Sequence, residues 1–321
     1  MTAQPNLREV KATHERIGPY INQTLVLTCT SLDGMVGARL FFKCENFQKT
    51  GAFKFRGACN AVFLLSDKEA SRGVVTHSSG NFAAALALAA RERGITARIV
   101  MPSNAPAVKV AAVKGYGGII TFCEPTLKSR EKTAEKVIEK TGATFIHPYN
   151  DHHIIAGQGT ASLELLEEIP DLDFLLAPVG GGGLLSGTAI TAKGLNPRIK
   201  VIGCEPKNAD DAYRSMKAGR IIPSENPNTI ADGLRTSLGD KTFPIIRDLV
   251  DRILLATEEE IIKAMRLIFE RMKIVAEPSA AVPLAVLLSD QLNVAKKRVG
   301  IIVSGGNVDL SNFFDQTLKS R

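Results

Sequence analysis

The chain has 321 residues and a formal net charge of +7, and 45% of its residues are hydrophobic. This length and apolar content allow a sizeable core, and no run approaches the roughly 18 consecutive apolar residues of a membrane span. Basic and acidic residues are mixed, and there is no tryptophan and only four tyrosines, so the composition argues against a nucleic-acid-binding surface and favours a small anionic ligand.

The beginning of the chain and its cysteines predict a cytoplasmic protein. Residues 1–10 include Arg8 and Glu9 and lack the apolar core of a signal peptide. The five cysteines are odd in number and form no C-x-x-C pair, which argues against disulfides and a zinc site. We expect buried free thiols at these positions: Cys29, Cys44, Cys59, Cys123 and Cys204.

Short apolar runs alternate with helical patterns along almost the whole chain. The predicted strands are 39–44, 73–77, 97–101, 119–123, 174–179, 201–204, 252–256 and 299–303. The predicted helices are 82–93, 105–114, 127–141, 157–168, 185–194 and 258–272. Near-continuously apolar strands that alternate with helices predict an α/β fold, with twisted, parallel-rich sheets flanked by helices on both faces.

The segment 73–148 holds several tight strand–helix units of its own. It predicts a smaller domain inserted into a larger one, which consists of residues 1–72 and 149–321, with a cleft between the two. We expect these boundaries to hold to within several residues.

Lys54 lies between two phenylalanines, Phe53 and Phe55, directly after a Thr-Gly turn. An apolar pocket lowers the pKa of a lysine by desolvation, which is what a Schiff-base lysine requires. The flanking rings are compatible with such a pocket. Because most lysines are solvated, an ordinary surface lysine is the alternative.

A serine-rich turn, Ser78-Ser79-Gly80-Asn81, follows the predicted strand 73–77 and precedes a helical pattern. Serine and asparagine at such a turn are typical helix caps. Backbone amides and hydroxyls at a helix N-terminus also form a cradle for a carboxylate. The residues alone leave both interpretations open.

Four glycines, 180–183, follow one predicted strand and precede a predicted helix. Backbone N–H groups without side chains converge there with the positive end of a helix dipole, which is the geometry of a phosphate site. Leu184 stands where a G-x-G-x-x-G fingerprint would need glycine, and no P-loop pattern occurs. The alternative is a glycine-rich connection that binds nothing.

A second glycine turn runs from Ser304 to Asn307, after the predicted strand 299–303. It follows the carboxyl end of a strand, where open α/β sheets bind ligands. A structural turn and a ligand contact are both open at this point.

Three carboxylates, Glu205, Asp210 and Asp211, follow the predicted strand 201–204. Hard cations prefer such oxygens, so this segment predicts either a loop around one ion or a solvated acidic loop. Three histidines also have metal-like spacing, but a neighbouring proline and aspartate favour an ordinary loop there: His147, His152 and His153.

Together, these residues resemble the serine racemase and serine/threonine dehydratase group of pyridoxal-phosphate enzymes. That group has the fold of the tryptophan synthase β-chain, known as fold type II. The resemblance extends from about residue 17 to residue 307, and its five ordered markers are 49–57, 78–81, 180–183, 277–280 and 304–307. Five markers at family-like separations outweigh the alternative interpretation of any single one.

The resemblance implies a role for each marker. Lys54 would form a Schiff base with pyridoxal phosphate, Gly180, Gly181, Gly182 and Gly183 would hold its phosphate, Ser304 would meet the pyridine nitrogen, and Asn81 the ring hydroxyl. The substrate carboxylate would be bound by Ser78, Ser79, Gly80 and Asn81, with Thr50 as a weaker candidate. A divalent cation (Mg or Mn, with Ca as a third candidate) would be bound by Glu205, Asp211 and the Ala209 carbonyl.

The resemblance also implies the reaction. Lys54 would remove the α-proton as general base, and Ser79 would stand on the opposite face of the cofactor. A proton returned by Ser79 gives the mirror-image amino acid, whereas loss of the β-hydroxyl of serine gives pyruvate and ammonia. Ser304, a neutral hydroxyl, would leave the pyridine nitrogen largely unprotonated, which should disfavour transamination.

We therefore expect a serine racemase with serine β-elimination (dehydratase) activity. Threonine dehydratases typically have alanine at the position of Ser79, and we expect no C-terminal regulatory domain of the kind that the biosynthetic ones carry. The alternatives are a dehydratase for threonine or 3-hydroxyaspartate and, more remotely, a catalytically silent cofactor-binding protein. Phe82 replaces the histidine that family members usually have after Asn81, which leaves substrate preference and the ratio of the two reactions open. A homodimer and ATP as an effector at a subunit interface are further implications of the resemblance.

Overall fold

Ten strands and thirteen α-helices alternate along residues 4–309, the part of the chain that the computed structural model describes; residues 1–3 and 310–321 lie outside it. The strands are β1 (Val26–Leu27), β2 (Arg39–Cys44), β3 (Val74–His77), β4 (Ala97–Pro102), β5 (Ile119–Cys123), β6 (Thr144–Phe145), β7 (Phe174–Pro178), β8 (Lys200–Pro206), β9 (Arg252–Ala256) and β10 (Arg298–Val303). The helices are α1 (Leu7–Ile17), α2 (Thr30–Val36), α3 (Lys54–Phe63), α4 (Asp67–Ala70), α5 (Asn81–Arg93), α6 (Ala107–Gly115), α7 (Leu127–Thr141), α8 (His152–Glu168), α9 (Gly183–Leu195), α10 (Asp211–Ala218), α11 (Thr242–Leu249), α12 (Glu258–Leu267) and α13 (Pro278–Leu288).

Six strands form the larger sheet, in the order β1-β2-β10-β7-β8-β9. β1 pairs antiparallel with β2, and all other neighbours in this sheet are parallel. Helices cover both faces because successive apolar residues of a strand point to opposite sides. Leu176 belongs to one hydrophobic cluster with Ile261 of α12 and Leu284 of α13, whereas its neighbour Leu175 belongs to another with Ala189 of α9.

The smaller sheet has the order β5-β4-β3-β6, and all its neighbouring strands are parallel. Its four strands lie within residues 74–145, inside the segment predicted as the inserted domain, and the strands of the larger sheet lie outside it. This division supports the two-domain organisation, while the boundaries themselves stay a prediction. Residues 310–321 of the predicted larger domain lie outside the described residues.

All eight predicted strands are present, each within two residues of its predicted ends. The prediction missed β1 and β6, which have two residues each and are too short to produce a recognisable pattern. It also missed α13, because that helix is apolar all round and contains Pro283, so it has no amphipathic period. α1 begins with a capping box of Asn6 and Glu9, a signal that the sequence does contain.

α8 begins at His152, five residues before its predicted start at 157, because Asp151 caps it. The Asp151 side chain accepts hydrogen bonds from the N–H groups of His153 and Ile154. The interpretation of His152 and His153 as loop residues was therefore wrong. Within residues 4–309, no helix is both long and apolar enough to cross a membrane.

All five cysteines are free thiols. Cys44, Cys59 and Cys204 are buried, which confirms the prediction for these three, and Cys29 and Cys123 are partly exposed. Burial raises the pKa of the Cys44 and Cys59 thiols to about 12, so neither is a reactive thiolate.

α8 is the common support of α3 and α9. Gly57 of α3 faces Gly157 of α8, and Gly159 of α8 faces Gly187 of α9, so closely that a Cβ on Gly157 or Gly187 would overlap the opposite backbone. The helices therefore pack backbone to backbone. Lys54 is the first residue of α3 and the glycine run leads into α9, so α8 holds both on one support.

Candidate active site

Three neighbouring parallel strands, β2, β10 and β7, end at the same edge of the larger sheet. The segments that follow them carry the candidate residues: Lys54 after β2, Ser304 after β10, and the glycine run 180–183 after β7. The carboxyl edge of a parallel sheet is where open α/β folds bind ligands. The topology thus brings residues from distant parts of the chain to one site.

Lys54 is half-buried at the start of α3. Its Nζ donates a hydrogen bond to the Pro148 carbonyl oxygen at 3.0 Å. The ring centroids of Phe53 and Phe82 lie 5.0 Å and 6.0 Å from the same nitrogen. The amine is therefore enclosed by two apolar rings and one carbonyl group.

Burial lowers the pKa of Lys54 to about 8, although the charge of Glu277 acts in the opposite direction. A phenyl ring attracts an ammonium group by only about 0.5–1 kcal/mol, which is less than one pKa unit. Loss of hydration is thus the larger effect. Roughly a tenth of the amine is uncharged at pH 7, far more than for a solvated lysine.

A buried ionic cluster anchors the beginning of α3. Arg56 contacts Glu45 Oε2 at 2.7 Å and Glu164 Oε1 at 2.6 Å, and Lys43 Nζ contacts Glu164 Oε2 at 2.6 Å. All four side chains are at most 1% exposed, and their charges cancel. Such a cluster contributes little net stability, but removal of one partner strongly destabilises the fold because it leaves an unpaired buried charge. It fixes the backbone two residues after Lys54.

The glycine run connects β7 to α9, and Gly182 is the N-cap residue in the left-handed region, at φ 88°. A Cβ on Gly180 would lie 2.9 Å from Leu234 Cα, and a Cβ on Gly181 would overlap the Tyr149 ring. The Thr242 hydroxyl donates a hydrogen bond of 2.8 Å to the Gly181 carbonyl. The run is therefore closely packed on several sides and has no room for larger residues.

Asn81 joins the segment that follows β3 of the smaller sheet to the start of α13. Its Nδ2 donates to both carboxylate oxygens of Glu277, each at 3.0 Å. Asn307 Nδ2 donates to Asn81 Oδ1 at 3.0 Å and to the Thr50 carbonyl at 2.7 Å. Burial raises the pKa of Glu277 to about 7, and its hydrogen bond from Asn81 partly offsets that shift. The structure thus connects Asn81, Asn307 and Thr50 to one another, and Asn81 to the buried acid Glu277.

Thr50 has the backbone conformation that glycine favours, at φ 61°. Its Oγ1 is buried and has no hydrogen-bond partner within residues 4–309. Backbone strain and an unpaired buried hydroxyl are both costly, and both concentrate at functional sites. These two features support a ligand contact for Thr50.

The Ser78–Asn81 turn follows β3, and Gly80 is the N-cap residue of α5 without a side-chain cap. The Ser78 hydroxyl instead accepts a hydrogen bond of 3.3 Å from the Gly80 N–H group. Ser79 is half-buried, and its hydroxyl forms no hydrogen bond within residues 4–309. Because neither serine caps the helix, the simple capping alternative does not account for this turn.

Ser304 follows β10 directly and is 2% exposed. Its carbonyl accepts a hydrogen bond of 3.0 Å from the Phe53 N–H group. Ser304 is thereby tied to the residue before Lys54. The predicted contact of its hydroxyl with a pyridine nitrogen stays a prediction.

Glu205 and Asp211 are both fully buried, so the solvated-loop interpretation was wrong for this pair. Glu205 accepts hydrogen bonds of 2.9 Å from the N–H groups of Ala212 and Tyr213 in the first turn of α10. Burial raises the pKa of Asp211 to about 6, and burial together with the charge of Asp211 raises the pKa of Glu205 well above its ordinary value. Asp211 Oδ1 has no hydrogen-bond partner within residues 4–309. No group of three or more His, Cys, Asp or Glu side chains there could hold a metal ion, so a cation site would depend on these two acids and a carbonyl.

Sequence reasoning missed the partners that shape the site. Pro148 and Tyr149 connect the lysine to the glycine run, since the Pro148 carbonyl binds Lys54 and the Tyr149 ring covers Gly181. Glu277 stood within a family marker without an assigned role. Its position before Pro278, at the start of α13, was a visible signal of a helix N-terminus.

A family model described as pyridoxal-phosphate dependent enzyme matches residues 17–305. The chain belongs to this family of pyridoxal-phosphate dependent enzymes. The serine racemase of Oryza sativa subsp. indica is 52% identical over 319 residues, which cover 98% of this chain and 94% of the relative. The beta-hydroxyaspartate dehydratase of Paracoccus denitrificans is 53% identical over 306 residues, which cover 95% of this chain and 97% of the relative. The structure of maize serine racemase matches with a TM-score of 0.97 and 50% identity, over 99% of this chain and 98% of that one.

These likenesses confirm the predicted fold type II architecture and the enzyme class. The site also fits the cofactor that the family description names. Within residues 4–309, the N–H groups of Gly181, Gly182 and Gly183 donate no hydrogen bonds, and they lie at the N-terminus of the 13-residue helix α9. Such a terminus is suited to a phosphate group. Lys54 supplies the desolvated amine that a pyridoxal-phosphate enzyme requires.

Proposed function

We propose that this chain is a serine racemase that also removes the hydroxyl group of serine, giving pyruvate and ammonia. The observation that carries the proposal is the proximity of the segment after the Ser78–Asn81 turn to the lysine: Phe82, directly after the turn, has its ring centroid 6.0 Å from Lys54 Nζ. Lys54 belongs to the larger domain and the turn to the smaller one. Groups from both domains therefore reach one reaction centre.

Lys54 is the group that accepts the α-proton. Its lowered pKa provides uncharged amine near neutral pH, and the Pro148 carbonyl orients the nitrogen. Pyridoxal phosphate, held at the glycine run 180–183, supplies the electron sink for the negative charge left on the α-carbon. The rings of Phe53 and Phe82 lie beside the same nitrogen.

Ser79 is the group that gives a proton on the opposite face. Its half-buried hydroxyl has no hydrogen-bond partner within residues 4–309, which leaves it available to a bound substrate. The substrate carboxylate would be held by Ser78, Ser79, Gly80 and Asn81, with support from the unpaired Thr50 hydroxyl. A proton delivered by Ser79 inverts the α-carbon, and departure of the β-hydroxyl before that step leads to elimination.

Identification of the products from both serine enantiomers tests this proposal. L-serine should yield D-serine and pyruvate, and Lys54→Ala should abolish both. Ser79→Ala should lower the racemisation rate by about 10²–10⁴-fold, as for loss of a general acid, with a much smaller effect on pyruvate formation. Ser78→Ala is the matched control and should change both rates together. Absence of D-serine from wild-type reactions, or equal loss of both rates in Ser79→Ala, would contradict the assignment.

A dehydratase for 3-hydroxyaspartate is the second candidate, because one of the similar relatives bears that name. Ammonia release from 3-hydroxyaspartate that greatly exceeds release from serine would favour it. Oxaloacetate is then the keto acid to be measured, whereas threonine would give 2-oxobutyrate. These three products separate the alternatives in one assay.

We infer further that Glu205, Asp211 and the Ala209 carbonyl bind a divalent cation, Mg or Mn before Ca. Two buried acids with raised pKa values and one unpaired oxygen support this site. A homodimer, activation by ATP and a cytoplasmic location stay predictions from the resemblance and the composition. Light scattering that gives the monomer mass of 34.5 kDa, or equal rates with and without ATP, would contradict the first two.

A further inference from the structure

Phe82 occupies a defined position beside the reactive amine. It lies in the first turn of α5, is 2% exposed, and has its ring centroid 6.0 Å from Lys54 Nζ. The Phe53 ring and the Pro148 carbonyl also lie close to that nitrogen. Phe82 is thus the part of this enclosure that comes from the smaller domain.

The Phe82 ring is held in place by a buried hydrophobic cluster and by the fixed residue before it. It packs in a core cluster with Phe55, Leu86 and Ile154, all fully buried. The preceding residue, Asn81, is fixed by its two hydrogen bonds to Glu277. The ring therefore has little freedom to move away from Lys54.

Two titratable groups face Lys54 from the surrounding elements. Glu277, at the start of α13, favours the charged amine. His147, just before Pro148, has its pKa lowered to about 4 by burial first and by nearby positive charge second, so it is neutral at working pH. Since Glu277 favours the ammonium form of Lys54, the lowered pKa of Lys54 must come from loss of hydration beside its apolar neighbours.

We propose that Phe82 is a positioning residue for Lys54: its ring excludes water from the amine on the side of the Ser78–Asn81 turn and keeps the nitrogen directed at the Pro148 carbonyl. The proposal rests on the proposed function only in taking Lys54 as the amine that binds the cofactor. It departs from ordinary core packing, in which Phe82 would contribute to folding and leave the chemistry of Lys54 unchanged.

The test measures how fast Lys54 of the full-length protein, freed of cofactor by dialysis, captures added pyridoxal phosphate. The initial growth of the absorbance band of the lysine-bound cofactor is recorded at several pH values from about 7.5 to 10, where an introduced imidazole is neutral. Only the uncharged amine reacts, so the midpoint of this profile reports the ionisation of Lys54. The variants are Phe82→His, which keeps a ring but admits water, and Phe82→Leu, which keeps an apolar wall without a ring.

We expect the midpoint of Phe82→His to rise by about one pH unit, so that capture at pH 7.5 is roughly tenfold slower. Phe82→Leu should stay within about 0.3 unit of the wild type, because its wall remains dry. Phe55→Leu is the matched control: Phe55 is in the same cluster and adjacent to Lys54 in sequence, but its ring faces Lys49 Nζ at 5.6 Å. It should lower the melting temperature and leave the midpoint unchanged.

An unchanged midpoint in Phe82→His would overturn the proposal, as would equal shifts in Phe82→His and Phe55→Leu. The readout does not depend on any substrate. If D-serine is never formed but the midpoint moves as expected, the proposed reaction fails and the role of Phe82 stands. If D-serine is formed and the midpoint is fixed, the reverse holds.

Discussion

Asp211 is the residue whose surroundings most clearly favour a bound cation. Its carboxylate is fully buried beside Glu205, Oδ1 is unpaired within residues 4–309, and Oδ2 accepts a 3.3 Å hydrogen bond from the Leu238 N–H group. Two ionised carboxylates in such a position repel each other. A divalent cation would satisfy both.

We expect a chelator to lower the melting temperature at neutral pH. A cation at about a hundred times its dissociation constant stabilises a protein by about 2.7 kcal/mol, so its removal should cost roughly 5 °C. Asp211→Asn should abolish the response to added cation. Asp210→Asn, in the neighbouring half-exposed residue that pairs with Arg214 at 2.7 Å, should retain it. Identical melting curves of the wild type with cation and with chelator would exclude the site.

Single residues differ in how far the sequence reveals them. Lys54 and the glycine run were recognisable because each lies within a short local motif. The pairing of Asn81 with Glu277 spans 196 positions, and that of Asn307 with Thr50 spans 257. Such contacts follow from the order of strands in the sheet, and no local pattern encodes them. The strain at Thr50 has the same origin, since a long-range hydrogen bond stabilises it.

At the scale of elements, the connection from β7 to α9 is the most constrained segment of the site. We expect Gly181→Ala to weaken cofactor binding, because the new methyl group would overlap the Tyr149 ring. Overpacking of this kind costs about 1–3 kcal/mol, which corresponds to a roughly 5- to 150-fold higher dissociation constant. Absorbance titration with pyridoxal phosphate measures it.

Gly34→Ala is the matched control for this substitution. Gly34 lies within α2, and a Cβ there would meet nothing within 4 Å. Alanine at that position should leave cofactor affinity unchanged and stabilise the helix by up to about 1 kcal/mol. Wild-type affinity in Gly181→Ala would show that Tyr149 moves aside freely and that the close packing is unimportant.

The elements themselves were predictable where their residues face one kind of environment. β7 and β10 were located because both faces of each strand are buried, which gives short, continuous apolar runs. α7 was located at both ends because it lies on the surface and is capped by Thr126 and followed by Gly142. α3 was not predicted, because the charged residues Lys54 and Arg56 interrupt its apolar pattern and their buried partners are distant in the sequence.

At the scale of the whole molecule, polar contacts link the predicted smaller domain to the larger one. Lys109 of α6 forms an ion pair with Asp232, and Lys49 Nζ contacts Glu92 of α5 at 2.8 Å. The backbone next to Asp232 packs against the glycine run, because a Cβ on Gly180 would lie 3.1 Å from the Gly233 carbonyl oxygen. The segment 232–234 therefore takes part both in the contact between the predicted domains and in the packing of the glycine run.

We expect Lys109→Ala to raise KM for serine by roughly three- to tenfold, because the closed arrangement becomes less populated. The melting temperature should change by less than about 2 °C, since partly exposed ion pairs contribute about 0–1 kcal/mol. Salt should raise KM of the wild type towards that of the variant. Lys297→Ala, which removes an ion pair with Asp173 inside the larger domain, is the control and should leave KM unchanged. A wild-type KM in Lys109→Ala would show that the Lys109–Asp232 ion pair does not stabilise the closed arrangement.

The support that α8 gives to both α3 and the glycine run has one more consequence. Because Lys54 and the cofactor cradle are fixed to the same helix, opening of the predicted cleft would move the Ser78–Asn81 turn away and leave Lys54 and the glycine run together. Inversion of the α-carbon needs Lys54 to accept a proton on one face and Ser79 to deliver one on the other, whereas loss of the β-hydroxyl does not use Ser79, so partial opening should slow inversion more than elimination. The ratio of D-serine to pyruvate should therefore report how often the two domains open. Osmolytes that favour compact states should raise this ratio, and mild denaturant should lower it, at concentrations that leave the total turnover unchanged.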